Sequence, residues 1–269
     1  MRHQAGGLRL LSIDHGPHDL VPVARESRAD PARLPAFKRL VVKAATRVRD
    51  AAGGRASYGM FLDRVLGPAA LADAAAAGLW LACQYPHGTA EPPDSELAAL
   101  PREAVVKVIA NGRADARTPL VERLSEIEAV VAACRRQARA VLIEALPGTG
   151  ESTAEIICWL RTHGLDAAWW LVEAQPSVQE WADVGEAAGR DAGLIVIARD
   201  HSPCEAFAVA RHSELVAGFV GGRAVFGDTL RTWLVGDMDD ELAVTALAER
   251  FTAMSALWDG VGQHDGAIP

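Results

Sequence analysis

Lysine is scarce in this chain: among 269 residues only Lys38, Lys43 and Lys107 carry a side-chain amine, and only Lys107 lies in an apolar, strand-like run, AVVKVIA. Two carboxylates sit in similar surroundings, Glu144 in AVLIEAL and Glu173 in AAWWLVEA. Ionisable groups among Val, Ile, Leu and Ala are costly to bury unpaired. A desolvated lysine has a depressed pKa and can attack a carbonyl as the free amine while a neighbouring carboxyl moves the protons. Alternation along the run puts Lys107 on one face with Val105 and Ile109. It therefore points into a barrel or at a helix layer; if inward, Glu144 on the next strand is its natural ionic partner. A buried Lys–Glu pair that only fills space is the competing structural reading.

Further polar residues stand where apolar runs end. Asp14 and His15 follow the first run, Asp63 and Arg64 the second, Gln84 and His87 the third, and Arg199, Asp200 and His201 the seventh. Asp14 and His15 read either as an acid/base pair or as a cap beside a solvated ring. Gly221, Gly222 and Arg223, ahead of AVFGDTLRTW, have the form of a turn that holds phosphate with backbone amides and a helix N-terminus. Arg199 occupies the matching place one strand earlier. The four cysteines, Cys83, Cys134, Cys158 and Cys204, show no CxxC or zinc-ligand spacing and read as packing thiols.

These residues are positioned by a regular alternation. Apolar runs at residues 8–14, 58–63, 79–84, 104–110, 140–146, 167–174, 194–200 and 217–222 predict strands, with amphipathic or alanine-rich helical segments between them. Pro31 and Pro68 open helices that Gly53–Gly54 and Gly78 end, and a Thr-Pro pair opens the helix before residue 137. Eight strands with intervening helices predict an α/β fold, a single-domain (β/α)8 TIM barrel over residues 1–258 with a tail at 259–269. A doubly wound sheet is the alternative, but no GxGxxG follows the first strand. Residues 85–103 hold four prolines and read as a loop over the catalytic mouth, with a short helix near 95–100. Active sites of such barrels lie at the C-terminal strand ends, which is where the polar residues fall.

A formal charge of −8 with a pI near 5.5 leaves no basic footprint and argues against a nucleic-acid partner. The absence of a long apolar run and of signal-peptide zones predicts a cytoplasmic protein with no membrane partner. Exposed helix faces leave room for a homo-oligomer.

Laid out in order, the motifs IDH (13–15), LDRVLG (62–67), VVKVIAN (105–111), LIEAL (142–146), WLVEA (170–174) and GFVGGRAVFGDTLRTWL (218–234) resemble the aldolase domain of myo-inositol catabolism. That family cleaves 2-deoxy-5-keto-gluconate 6-phosphate and is often fused behind a sugar kinase; the class I tagatose 1,6-bisphosphate aldolases are more distantly similar. The resemblance runs from about Leu8 to Trp258. No kinase-length sequence precedes Leu8, so that partner step is expected on another chain or not at all. The resemblance implies a barrel acting on a phosphorylated keto sugar. Lys107, Glu144, Asp14 and Glu173 would be catalytic, with Arg199, Gly222, Arg223 and His15 holding substrate and phosphate, and with no cofactor. In the family the sixth strand carries a W-K-x-E pattern whose lysine forms the Schiff base, and Leu171 stands at that lysine here. Three expectations follow: Lys107 takes over the imine; or imine-free chemistry uses a metal held by residues such as His15, Glu144, Glu173 and His201; or the barrel binds a sugar phosphate without turnover.

Overall fold

The computed structural model describes residues 7–53, 57–86, 88, 93–111, 120–197 and 203–260. Eight strands, β1 (Leu8–Ser12), β2 (Ser57–Asp63), β3 (Trp80–Gln84), β4 (Val105–Asn111), β5 (Val141–Leu146), β6 (Trp169–Glu173), β7 (Gly193–Ile197) and β8 (Val216–Gly221), follow one another in sheet order and close into a barrel. The fold is the (β/α)8 barrel, and the strands are apolar almost throughout because helices cover one face and the barrel interior the other. Ten α-helices occur among the described residues: α1 (Pro17–Glu26), α2 (Leu34–Ala51), α3 (Pro68–Ala76), α4 (Pro93–Ala98), α5 (Leu120–Arg136), α6 (Thr153–Thr162), α7 (Val178–Ala188), α8 (Pro203–Ala210), α9 (Arg223–Val235) and α10 (Asp240–Asp259). None is long and apolar enough to cross a membrane. The chain groups into two compact halves, His87–Phe219 and Leu8–Pro86 with the residues from Val220 onward.

In the half that carries β4 to β7, the strand register sorts the side chains into two faces. Lys107 is level with Leu142, Ile109 with Glu144, Glu144 with Leu171, and Leu171 with Ile195. The opposite face, with Val106, Val108, Ala110, Ile143, Ala145, Trp170, Val172, Leu194 and Val196, is wholly apolar and buried, and α5, α6 and α7 pack against these strands. Lys107 and Glu144 therefore share the face turned away from the helices, the barrel interior. Local signals set the helix starts: Ser152 and Glu155 form a reciprocal capping box on α6, and Ser177 caps α7 by accepting from the Glu180 amide.

In the other half, β1, β2 and β3 place Leu10, Gly59 and Trp80 in one row. Gly59 is required there, since a Cβ would lie 2.4 Å from the Trp80 carbonyl oxygen and 2.7 Å from Leu10 Cδ2. Helix α2 buries Leu34, Phe37, Lys38, Val41, Ala45 and Val48, a stripe at helical spacing. It packs on α10, and the Arg33 guanidinium, just ahead of α2, lies 4.2 Å from the Trp233 ring centre and donates to the Leu234 carbonyl at 2.7 Å. Arg9 pairs with Asp259, the last residue of α10.

Two departures from the sequence reading have local causes. Helix α1 lies where the sequence reading drew no helix, between the first strand and Pro31; Pro17 occupies its first turn, where its missing N–H costs nothing. The short helix in the proline-rich connection begins at Pro93, two residues earlier than the serine that suggested it.

Candidate active site

The feature with most chemical potential lies on the interior face of β4 and β5. Lys107 Nζ stands 2.7 Å from Glu144 Oε2, with the two side chains 6% and 2% exposed. Around them the same face presents Ile109, Leu142, Trp169, Leu171 and Ile195, so the pair sits in an apolar setting where its mutual attraction is little screened. Glu173 projects from the same face of β6, two residues beyond Leu171 and half-exposed at the strand end. Leu171, level with Glu144 and 1% exposed, puts a branched alkyl group where the resemblance would have an amine.

In the other half, Asp14 is buried just beyond β1, and Ser12 donates its hydroxyl to Asp14 Oδ1 at 2.5 Å. The His15 ring meets Phe226 edge-on, with centroids 5.4 Å apart. Gly222 is the residue before α9 and Arg223 its first residue; the Arg223 guanidinium is exposed and 3.6 Å from Asp19. Arg199, Asp200, His201 and His87 lie outside the described residues.

Asp63, a site candidate by its position alone, has its carboxylate occupied in building the turn. Oδ1 accepts from the Val65 and Leu66 amides at 2.8 and 2.7 Å, and Oδ2 accepts from the Lys38 ammonium. Lys38 is a second buried lysine, which the sequence reading passed over because it stands on a helix. Its side chain is fully buried and also donates to the Ile13 and His15 carbonyls at 2.8 and 2.9 Å. Burial pulls this ammonium below the ordinary lysine range, and Asp63 opposes that pull. With three N–H groups on three acceptors, Lys38 has no lone pair to offer a carbonyl, whereas the scarcity of lysine leaves Lys107 as the buried amine on a strand.

Among the described residues no group of three His, Cys, Asp or Glu is close enough to hold a metal ion. Burial pushes the Cys83 and Cys134 thiols up to about 12, while Cys158 departs from the packing role expected of it and is exposed on α6.

Among solved structures, the chain is similar to the YdjI aldolase from Escherichia coli K12, at 11% identity and TM-score 0.61, covering 98% of this chain and 94% of that one. It is also similar to orotidine 5'-monophosphate decarboxylase from Methanocaldococcus jannaschii, at 10% identity and TM-score 0.50, covering 94% and 99%. Both likenesses are of fold, that of a barrel used by enzymes. A search of the curated proteins gave no match. Residues 1–261 match a single family model, described as an uncharacterized protein conserved in bacteria (DUF2090), and on a match of that extent the chain belongs to the DUF2090 family.

Proposed function

We propose that this barrel is an aldolase-like lyase acting on a phosphorylated keto sugar, with Lys107 as the imine-forming amine and Glu144 as its proton carrier. The observation that carries the reading is the 2.7 Å contact between Lys107 Nζ and Glu144 Oε2 on the interior face of the strands. A carboxylate at that distance can take a proton from the ammonium, which frees the lone pair for attack on the keto carbon. The carbinolamine then loses its hydroxyl as water, with Glu144 returning the proton, and a cationic imine forms. That imine draws electrons from the bond between its α and β carbons as a base removes the proton of the β-hydroxyl. The bond breaks to an aldehyde and an enamine, and protonation and water addition release the ketone and restore the lysine.

The resemblance to the aldolase domain of inositol catabolism supplies the substrate class, and the likeness to the YdjI aldolase supports the barrel fold that would carry the reaction. Following the resemblance, Asp14 and Glu173 serve as further acid/base groups, and Arg199, Gly222, Arg223 and His15 bind the substrate and its phosphate. The test is borohydride reduction in the presence of dihydroxyacetone phosphate, read by intact mass and peptide mapping. The expected result is one adduct on Lys107, absent from Lys107→Met. A folded protein that takes up no adduct would refute imine chemistry and leave an imine-free lyase or isomerase, or a sugar-phosphate binder.

A further inference from the structure

We propose that Lys38 is a positioning residue for Asp14: from α2 it clamps the backbone carbonyls on both sides of that aspartate and sets a fixed positive charge against it. The inference rests on the reading of Asp14 as an acid/base group. Its basis is the acceptor set of one ammonium. Lys38 Nζ donates to the carbonyl before Asp14, at Ile13, over 2.8 Å, to the carbonyl after it, at His15, over 2.9 Å, and to Asp63 Oδ2. The Ile13 amide is held in turn by the Phe61 carbonyl at 2.9 Å, so the backbone entering Asp14 is pinned on both edges. The Asp14 carboxylate accepts from Ser12, and its charge acts on Lys38 as an attraction.

Joining α2 to the strands needs no charge, because Leu34, Phe37, Val41, Ala45 and Val48 already bury its inner face. An apolar pair at positions 38 and 63 could pack there as well, and buried ion pairs are often no more stabilising than such a replacement of both partners. It would not hold two carbonyls or oppose a carboxylate. The turn is closed tightly over the ammonium: a Cβ on Gly67 would lie 2.6 Å from the Asp63 carbonyl oxygen and 3.4 Å from Lys38 Cδ. Among the charged and titratable groups gathered here are Asp14, Lys38, Asp63, Arg64 and Cys83, with His15 next to Asp14 in the chain, and Cys83, with its thiol pushed up to about 12, stays neutral.

The test is a carbon-13 NMR titration of the aspartate carboxyls in the full chain, with the Asp14 signal assigned by its loss in Asp14→Asn. Lys38→Met removes the opposing cation and is expected to raise the Asp14 midpoint by about one pH unit. Asp63→Asn removes a neighbouring anion, keeps Lys38 and is expected to lower it. Midpoints unchanged in both variants, or moved in the same direction, would overturn the proposal and leave Lys38 as a tie between α2 and β2. Should Lys38→Met not fold, the double variant Lys38→Met with Asp63→Asn is compared with Asp63→Asn alone: a higher Asp14 midpoint in the double variant supports the role and any other result overturns it. The titration uses no substrate, so its failure is distinct from a failure of adduct formation at Lys107.

Discussion

Breaking the Lys107–Glu144 pair one side at a time should be far more damaging than removing it whole. At 2.7 Å, with both side chains almost wholly buried, the gross attraction is about 4 to 6 kcal/mol at an effective dielectric near 20. Glu144→Leu removes the carboxylate 2.7 Å from an ammonium that shares its face with Leu142, Ile109 and Leu171, and a single cut of this kind costs up to about 3 to 5 kcal/mol. The lysine can limit that cost by giving up its proton. From 1.36 kcal/mol per pH unit, neutralising an amine of ordinary value near 10.4 costs about 4.6 kcal/mol at pH 7 and about 1.2 kcal/mol at pH 9.5. In the variant the unfolded chain binds more protons than the folded one between those limits, so stability should rise with pH, relative to the intact protein, up to the unfolded value. The double variant Lys107→Met with Glu144→Leu replaces both charges by alkyl groups of similar volume and should recover about 2 kcal/mol or more over the sum of the single losses. Urea unfolding of the four proteins at pH 7 and pH 9.5 measures all of this. Additive losses, or a Glu144→Leu deficit that does not shrink with pH, would refute the account of the pair as a buried, mutually dependent couple.

Other consequences are more local. Gly59→Ala forces a Cβ against the Trp80 carbonyl and Leu10, and urea unfolding should show a loss of about 1 to 3 kcal/mol. At pH 7, iodoacetamide should modify the exposed Cys158 quickly and leave Cys83 and Cys134 intact until denaturant is added, as read by peptide mapping; early labelling of Cys83 would contradict its burial. Asp259→Ala removes the ion pair with Arg9 and should speed amide hydrogen exchange in the last turn of α10 while leaving α9 unchanged.

The barrel was legible in the sequence because parallel strands buried on both faces leave continuous apolar runs, and each of the eight runs overlaps a strand. The facing of Lys107 and Glu144 was legible only in part: alternation within AVVKVIA put Lys107 on one face with Val105 and Ile109 but left the barrel interior and the helix layer both open, and the register of β4 on β5 decides between them. Helix α1 was missed because no helix was drawn between the first strand and Pro31, although a proline such as Pro17 can open a first turn. Lys38 was hidden differently. Its signal was present as a single lysine in the stripe Leu34, Phe37, Val41, Ala45 and Val48, but a lysine on a helix is normally read as snorkelling to solvent. Asp63 shows the converse error: its strand-end position suggested chemistry, while its carboxylate is engaged by two amides and an ammonium of its own neighbourhood.

The shortage of lysine has a practical side. Lys38 and Lys107 are buried, and Lys43, exposed on α2, is the remaining side-chain amine of the whole sequence. Succinimide dyes, biotin linkers or amine-coupled surfaces should therefore attach at one chosen spot on the molecule, apart from the chain's α-amino group. Preparations tethered through Lys43 would present a uniform orientation, and a background of stray reductive alkylation would be confined to an address already known.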